Sequence, residues 1–213
     1  MKILNLYACL GGNRYKWGNE HEITAVEWDP ELARLYQERF PNDKVIVDDA
    51  HQYLLDHYKE FDFIWSSPPC PSHSRINISQ YTRENWKPKY PDMALYQEII
   101  FLEYYYKGKY CIENVIPFYD MLIPGKKRNR HLYWTNFNLP NILSKRKNPD
   151  LSRTKNLVDA LSKFHDYNFR KYKGKQSIQK VARNLVDYEA GKTILDTVLG
   201  IRHKNDITQV ELF

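Results

Sequence analysis

The sequence predicts a doubly wound α/β fold around a mostly parallel sheet, and three observations predict it. At 213 residues the chain suits one sizeable core and not two full domains. Apolar runs alternate with segments of helical spacing through the first half of the chain, the pattern of parallel strands joined by helical crossovers. Gly11, Glu27, Asp49, Cys70 and Glu113 all fall at the carboxyl ends of those runs, the side on which open α/β sheets bind ligands.

Lys2 to Ala8 reads as a buried strand ending at Gly11-Gly12, and Ile23 to Glu27 as a second strand closed by an acid. A helix follows Asp29-Pro30, because Leu32, Leu35, Tyr36 and Phe40 recur at helical spacing, Pro30 suits a first turn and Pro41 stops it. Val45-Ile46-Val47 makes a third strand closed by Asp48-Asp49. Phe61 to Trp65 makes a fourth, running into the Ser66-Ser67-Pro68-Pro69-Cys70 turn. Leu95 to Tyr106 is helical, and Tyr110-Cys111-Ile112 is a fifth strand. From about Asn136 the pattern loosens into polar sequence, and helical spacing returns only near Arg183 to Leu199. Residues 1–135 and 183–213 are therefore expected to form the core, with 136–182 a small basic insert; no internal repeat is visible.

The net charge of +6 is unevenly spread: residues 1–125 hold 13 Lys+Arg against 18 Asp+Glu, and residues 126–183 hold 16 against 3. Such a segment suits a polyanionic partner, or forms a solvated lysine-rich face. No apolar run approaches the roughly 18 residues of a membrane span, so a soluble protein without a membrane partner is expected. Three cysteines, Cys9, Cys70 and Cys111, are odd in number and lack CxxC spacing, which argues against a disulfide framework and against a metal site.

Gly11 and Gly12 allow a tight turn near a ligand, and Glu27 can accept hydrogen bonds from ribose hydroxyls. With no GxGxxG or Walker lysine, a phosphate-free nucleoside ligand fits better than a pyrophosphate. Asp48 and Asp49 suit an adenine amino group, although acids after strands are usually loop residues or helix caps. Trp28 suits an adenine face or, taken alone, ordinary packing. Pro68-Pro69-Cys70 holds a thiol on a stiff turn, as a nucleophile reaching a flipped base requires. Its flank, Pro71-Ser72-His73-Ser74-Arg75, predicts an exposed, electropositive turn, whereas Cys9 and Cys111 sit in apolar contexts and are expected in the core. Glu113 would face Cys70 and, when protonated, donate to a base ring nitrogen, unless it is a solvated loop acid. Arg128 and Arg130 would share one side of a strand and contact a carbonyl oxygen or phosphate, or merely face water.

In order and spacing these pieces resemble the cytosine-C5 DNA methyltransferase family over most of residues 3–190. Leu6-Tyr7-Ala8-Cys9-Leu10-Gly11-Gly12 looks like its opening cofactor loop, Glu27-Trp28-Asp29-Pro30 like its ribose-binding motif, and Asp49 like its adenine-binding acid. Pro68-Pro69-Cys70-Pro71-Ser72-His73-Ser74 resembles the nucleophile loop, with Pro71 and His73 where the family usually has Gln and an aromatic. Leu95 resembles the leucine near the methyl-donor pocket, Glu113-Asn114-Val115 the Glu-Asn-Val motif, and Arg128-Asn129-Arg130 the Arg-x-Arg motif. Arg183-Asn184-Leu185 with Glu189 resembles the helix that organises target recognition, while Gly200 to Asp206 lacks the family's closing Gly-Asn motif.

The resemblance implies a Rossmann-like methyltransferase fold and a DNA (cytosine-5-)-methyltransferase using S-adenosyl-L-methionine. Tyr7, Ala8, Gly11, Gly12, Glu27, Trp28, Asp49, Pro69 and Leu95 would bind that cofactor; Cys70, Glu113, Arg128 and Arg130 would be catalytic. Ser74, Arg75, Lys145, Arg146, Lys147, Arg153, Lys155, Arg170, Lys171, Lys173, Lys175 and Arg183 would contact double-stranded DNA. It also implies base flipping, a cytoplasmic location in a bacterial or phage-infected cell, and a role such as restriction-modification; a monomer is expected, with a dimer left open. Two alternatives remain: an RNA cytosine-C5 methyltransferase, and a DNA-binding relative with weak or no turnover.

Overall fold

A computed structural model of the protein describes residues 1–81, 84–150 and 154–201; Arg153 and the Arg202–Asp206 tail lie outside the described residues. Seven strands form one sheet in the order β3-β2-β1-β4-β5-β7-β6. They are β1 (Lys2–Leu6), β2 (Glu22–Val26), β3 (Lys44–Ile46), β4 (Phe63–Ser66), β5 (Lys109–Val115), β6 (Lys126–Arg128) and β7 (His131–Thr135). The first five are parallel, while β7 runs antiparallel to β5 and carries β6 in a hairpin. This is the doubly wound, mostly parallel sheet the sequence predicts.

Alternation along the strands divides the core. Leu4, Leu6, Ile64 and Ile112 face α2 (Ala50–His57) and α4 (Ala94–Tyr105), packing with Tyr53, Leu54, Leu95, Ile99 and Leu102. Ile3, Phe63, Trp65 and Cys111 face the other way, against Ala190, Ile194 and Leu195 of α7 (Tyr188–Val198). α1 (Pro30–Arg39) starts as expected, with Pro30 in its first turn and the Asp29 carboxylate accepting from the amides of Glu31 and Leu32.

The segment from Asn136 onward departs from expectation. It contains α5 (Leu157–His165), a 3-10 turn at Phe169–Lys171 and α6 (Ile178–Asn184). Leu157 and Leu161, one helical turn apart, bury the inner face of α5 with Phe169, Tyr172, Val181 and Ala182 against Leu10, Leu32 and Leu35 of the sheet domain. α2, a short α3 (Ile76–Gln80) and β7 are further elements that the sequence reading did not contain. Among the described residues no helix is long and apolar enough to cross a membrane.

Candidate active site

The strand order reverses between β1 and β4, and the crevice beyond their carboxyl ends is the expected ligand position in such a sheet. A cavity of about 300 Å³ opens there. Tyr7, Ala8, Cys9 and Gly12 line it from the loop after β1, and Glu27 and Trp28 from the end of β2. Pro69 and Cys70 follow β4, Glu113 and Asn114 belong to β5, and Arg128 and Arg130 flank the hairpin. Arg146 and Arg183 also reach it. The residues from Tyr7 to Arg130 thus meet because each ends a strand or lies in the loop after one, while Arg146 and Arg183 come from the segment beyond the last strand.

The loop after β1 is held in an unusual conformation. Tyr7 (φ 54°) and Cys9 (φ 48°) are left-handed without being glycine, a cost of roughly 1–3 kcal/mol each that surrounding contacts must offset. Buried Glu27 supplies one such contact: its carboxylate accepts from the Cys9 amide at 2.8 Å and the Asp29 amide at 3.0 Å. Burial raises the Glu27 pKa, although those amides favour the charged form. Tyr7 donates to Glu98 at 2.6 Å, and Ser66 donates to the same buried carboxylate at 2.6 Å. Gly11 is left-handed (φ 66°), and a β-carbon on Gly12 would lie 2.3 Å from the Val186 carbonyl oxygen. The glycine pair therefore answers to the turn and to close packing.

Several expectations are corrected. Cys9 follows the strand instead of belonging to it, and its loop position exposes it in part to the cavity. Trp28 is 77% exposed, since its backbone turns toward the start of α1, and does not pack. Exposed Asp49 caps α2 through the Gln52 amide at 3.0 Å, and Leu95 is buried in the α4 core; neither lines the cavity, nor does Gly11.

Cys70 is half-buried, on a turn whose Pro71 and Arg75 are exposed while His73 is buried. Burial, then the Glu113 carboxylate, push its thiol up to about 11; the ammonium of Lys180 opposes them. Glu113 is buried in β5, with His131 Nε2 3.6 Å from its Oε1. Asn114 Nδ2 donates to the Pro68 carbonyl at 2.9 Å, tying β5 directly to the turn that carries Cys70. His73, where the family usually has an aromatic, is buried; its Nδ1 shares a hydrogen bond with the Tyr119 hydroxyl, and its backbone amide donates to the Cys70 carbonyl at 3.0 Å.

Arg128 and Arg130 do not share a strand face: Arg128 ends β6, whereas exposed Arg130 follows left-handed Asn129 in the turn. The Arg128 guanidinium donates to the carbonyls of Leu139 and Pro140, which turns it toward the protein. Arg146 is also turned inward, 3.8 Å from the ring centroids of both Phe164 and Tyr188, and paired with Asp187 at 2.7 Å. Two rings and a carboxylate thus surround the charge of this predicted DNA-contact residue, which reaches the cavity edge. Lys171 pairs with Glu38 and Arg170 with Asp159, each at 2.7 Å. Ser74 pairs with Pro117 in an isolated antiparallel β-bridge, and Arg75 Nε donates weakly to the Pro117 carbonyl at 3.4 Å. Lys145, Lys147, Lys155, Lys173, Lys175 and Arg183 are exposed.

Sequence reasoning missed Asn5, Lys180, His131 and Gln176, all of which line the cavity. Asn5 is fully buried and accepts from Asn13 Nδ2 at 2.7 Å. A fixed carboxylate and an exposed indole fit a nucleoside-type ligand with hydroxyls and an aromatic base.

Solved structures similar to the chain include a DNMT2 variant from Spodoptera frugiperda, at 26% identity over 54% of this chain and 35% of that one, TM-score 0.38. The Entamoeba histolytica methyltransferase EhMeth matches at 15% identity over 54% and 38%, TM-score 0.36. A TehB-like SAM-dependent methyltransferase from Corynebacterium glutamicum matches at 21% identity over 54% of each chain, TM-score 0.32. The matches to the first two span little more than a third of those proteins. No curated protein matches the chain. The family model of C-5 cytosine-specific DNA methylases matches residues 1–116, which hold the β1 loop, Glu27, the Cys70 turn and Glu113. With more than half its length matched, the chain belongs to the C-5 cytosine-specific DNA methylase family.

Proposed function

We propose that the protein is a DNA (cytosine-5-)-methyltransferase in which Cys70 forms a transient bond to C6 of a flipped cytosine. One observation carries the reading: the Cys70 thiol and the Glu113 carboxyl line the same cavity as Glu27 and Trp28. A nucleophile, an acid and a nucleoside-binding edge thus share one enclosure.

S-adenosylmethionine, when bound, supplies an electrophilic methyl group. Glu27 would hold its ribose hydroxyls, Trp28 its adenine face, and the Tyr7–Gly12 loop its remaining polar groups. Attack by the Cys70 thiolate on C6 pushes electrons toward C5, and a proton from Glu113 at N3 neutralises the charge that develops on the ring. C5 would then take the methyl group, with S-adenosylhomocysteine as the leaving group; loss of the C5 proton to a solvent-derived base, expulsion of Cys70 as thiolate and return of the N3 proton to Glu113 would restore the aromatic ring and both side chains. The exposed lysines of residues 145–175 are proposed to hold the phosphate backbone.

The test is incubation with labelled S-adenosylmethionine and duplex DNA containing 5-fluorocytosine, whose C5 substituent cannot leave as a proton. A denaturation-resistant complex is expected, and Cys70→Ala should abolish it while retaining DNA binding. Trapping by RNA in place of DNA would transfer the same chemistry to the other polymer. Equal turnover by Cys70→Ala would sink the nucleophile assignment.

A further inference from the structure

We propose that the basic segment, residues 136–182, forms the second wall of the nucleoside pocket. Tyr172 and Gln176 act in it as positioning residues that set the Glu27 carboxylate through Asp29. Cofactor binding and docking of the segment are then one coupled equilibrium. The inference rests on the reading of Glu27 and Trp28 as cofactor residues.

Two struts carry it. The first runs through Asp29. Its Oδ1 caps α1, and its Oδ2 accepts from the Tyr172 hydroxyl at 2.8 Å and from Gln176 Nε2 at 3.0 Å. The Gln176 amide donates to the Tyr172 hydroxyl at 3.0 Å, closing this small network. The backbone amide of the same Asp29 donates to Glu27 Oε1, so a displacement of Asp29 is passed directly to the carboxylate facing the cavity. Gln176 itself lines the cavity beside Glu27 and Trp28.

The second strut is Arg39 at the end of α1. Its guanidinium donates to the Leu10 carbonyl in the β1 loop at 3.0 Å and to the His165 carbonyl at the end of α5 at 3.3 Å. It also lies over the rings of Tyr15 and Tyr167, at 4.3 and 4.9 Å from their centroids. The strained loop that holds Tyr7 and Cys9 is thus braced from the segment as well as from Glu27.

Packing agrees with the struts. The inner face of the segment is apolar and shares a core with Leu10, Leu32 and Leu35, whereas Lys145, Lys147, Lys155, Lys173 and Lys175 face outward. Leu161, Phe164, His165, Gln176 and Lys180 complete the cavity on that side. A ligand that binds the docked arrangement better stabilises it by its differential affinity, and a polyanion on the outer face does the same from the opposite side.

The test uses the full chain and S-adenosylhomocysteine, measured by titration calorimetry and by limited trypsinolysis. The wild-type chain should bind, and saturating ligand should slow cleavage within residues 139–177. Tyr172→Phe with Gln176→Ala should weaken binding by about tenfold, the scale expected for lost hydrogen bonds to a charged group, and should reduce the protection. Equal affinity in the wild type and the double variant would overturn the inference, as would a wild-type cleavage rate indifferent to ligand, a readout independent of whether any variant folds. A wild-type chain that fails to bind S-adenosylhomocysteine would instead overturn the cofactor reading, and this inference with it.

Discussion

At the scale of single residues, Cys70 is defined by what surrounds it. Its thiol titrates near 11 because it is buried and because Glu113 carries a like charge. Below that value the thiolate fraction grows tenfold per pH unit, so iodoacetamide alkylation of the ligand-free protein should accelerate about tenfold per unit between pH 8 and 10. Replacing Glu113 by Gln removes a charge that opposes ionisation. Glu113→Gln should therefore speed alkylation of Cys70 at fixed pH while lowering methyl transfer by about 10²–10⁴-fold. Slower alkylation in that variant would contradict the electrostatic assignment. Cys70, Glu113 and Glu27 were legible in the sequence because each ends or follows an apolar run. Trp28, Cys9 and Arg128 were not: a ring's exposure, a left-handed φ and guanidinium partners at Leu139 and Pro140 depend on how the chain returns.

At the scale of elements, two hydrogen-bonded ties decide how the site holds together. Asn114 joins β5 to the Pro68 carbonyl in a buried setting, and its removal leaves that carbonyl without its partner. Asn114→Ala should cost about 1–3 kcal/mol in denaturant unfolding and slow methyl transfer, because the loop it releases carries Cys70. The second tie is Asp187, which caps α7 through the Glu189 amide at 3.1 Å and holds Arg146 between two rings. Arg146→Ala should therefore lower stability by on the order of 2–3 kcal/mol, where a purely nucleic-acid-facing arginine would leave the unfolding midpoint unchanged. β1, β2, β4 and α1 could be read from sequence because buried strands and an Asp-Pro helix start are local signals. α5 was missed although Leu157 and Leu161 have helical spacing, since lysines and asparagines around them mask a stripe whose partners, Leu10, Leu32 and Leu35, lie far back in the chain.

At the scale of the whole molecule, the charge asymmetry has two destinations. Part of the positive charge is paired within the chain: Lys171 meets Glu38 and Lys16 meets Glu189 in exposed ion pairs, and the less exposed Arg146 meets Asp187. The remainder, including Lys145, Lys147, Lys173 and Lys175, is exposed on the segment's outer side. Composition alone cannot separate these populations, because pairing depends on which helix the segment packs against. The separation predicts different salt responses. Each exposed lysine that contacts a phosphate releases condensed counterions on binding, so replacing those four by Gln should flatten the slope of log affinity against log salt by about 3–4 on duplex DNA. Lys171→Gln and Arg170→Gln should change it less, since Glu38 and Asp159 already neutralise those charges. Fluorescence anisotropy between about 50 and 200 mM salt separates the two sets; an unchanged slope in the four-lysine variant would place the polyanion on another face of the protein.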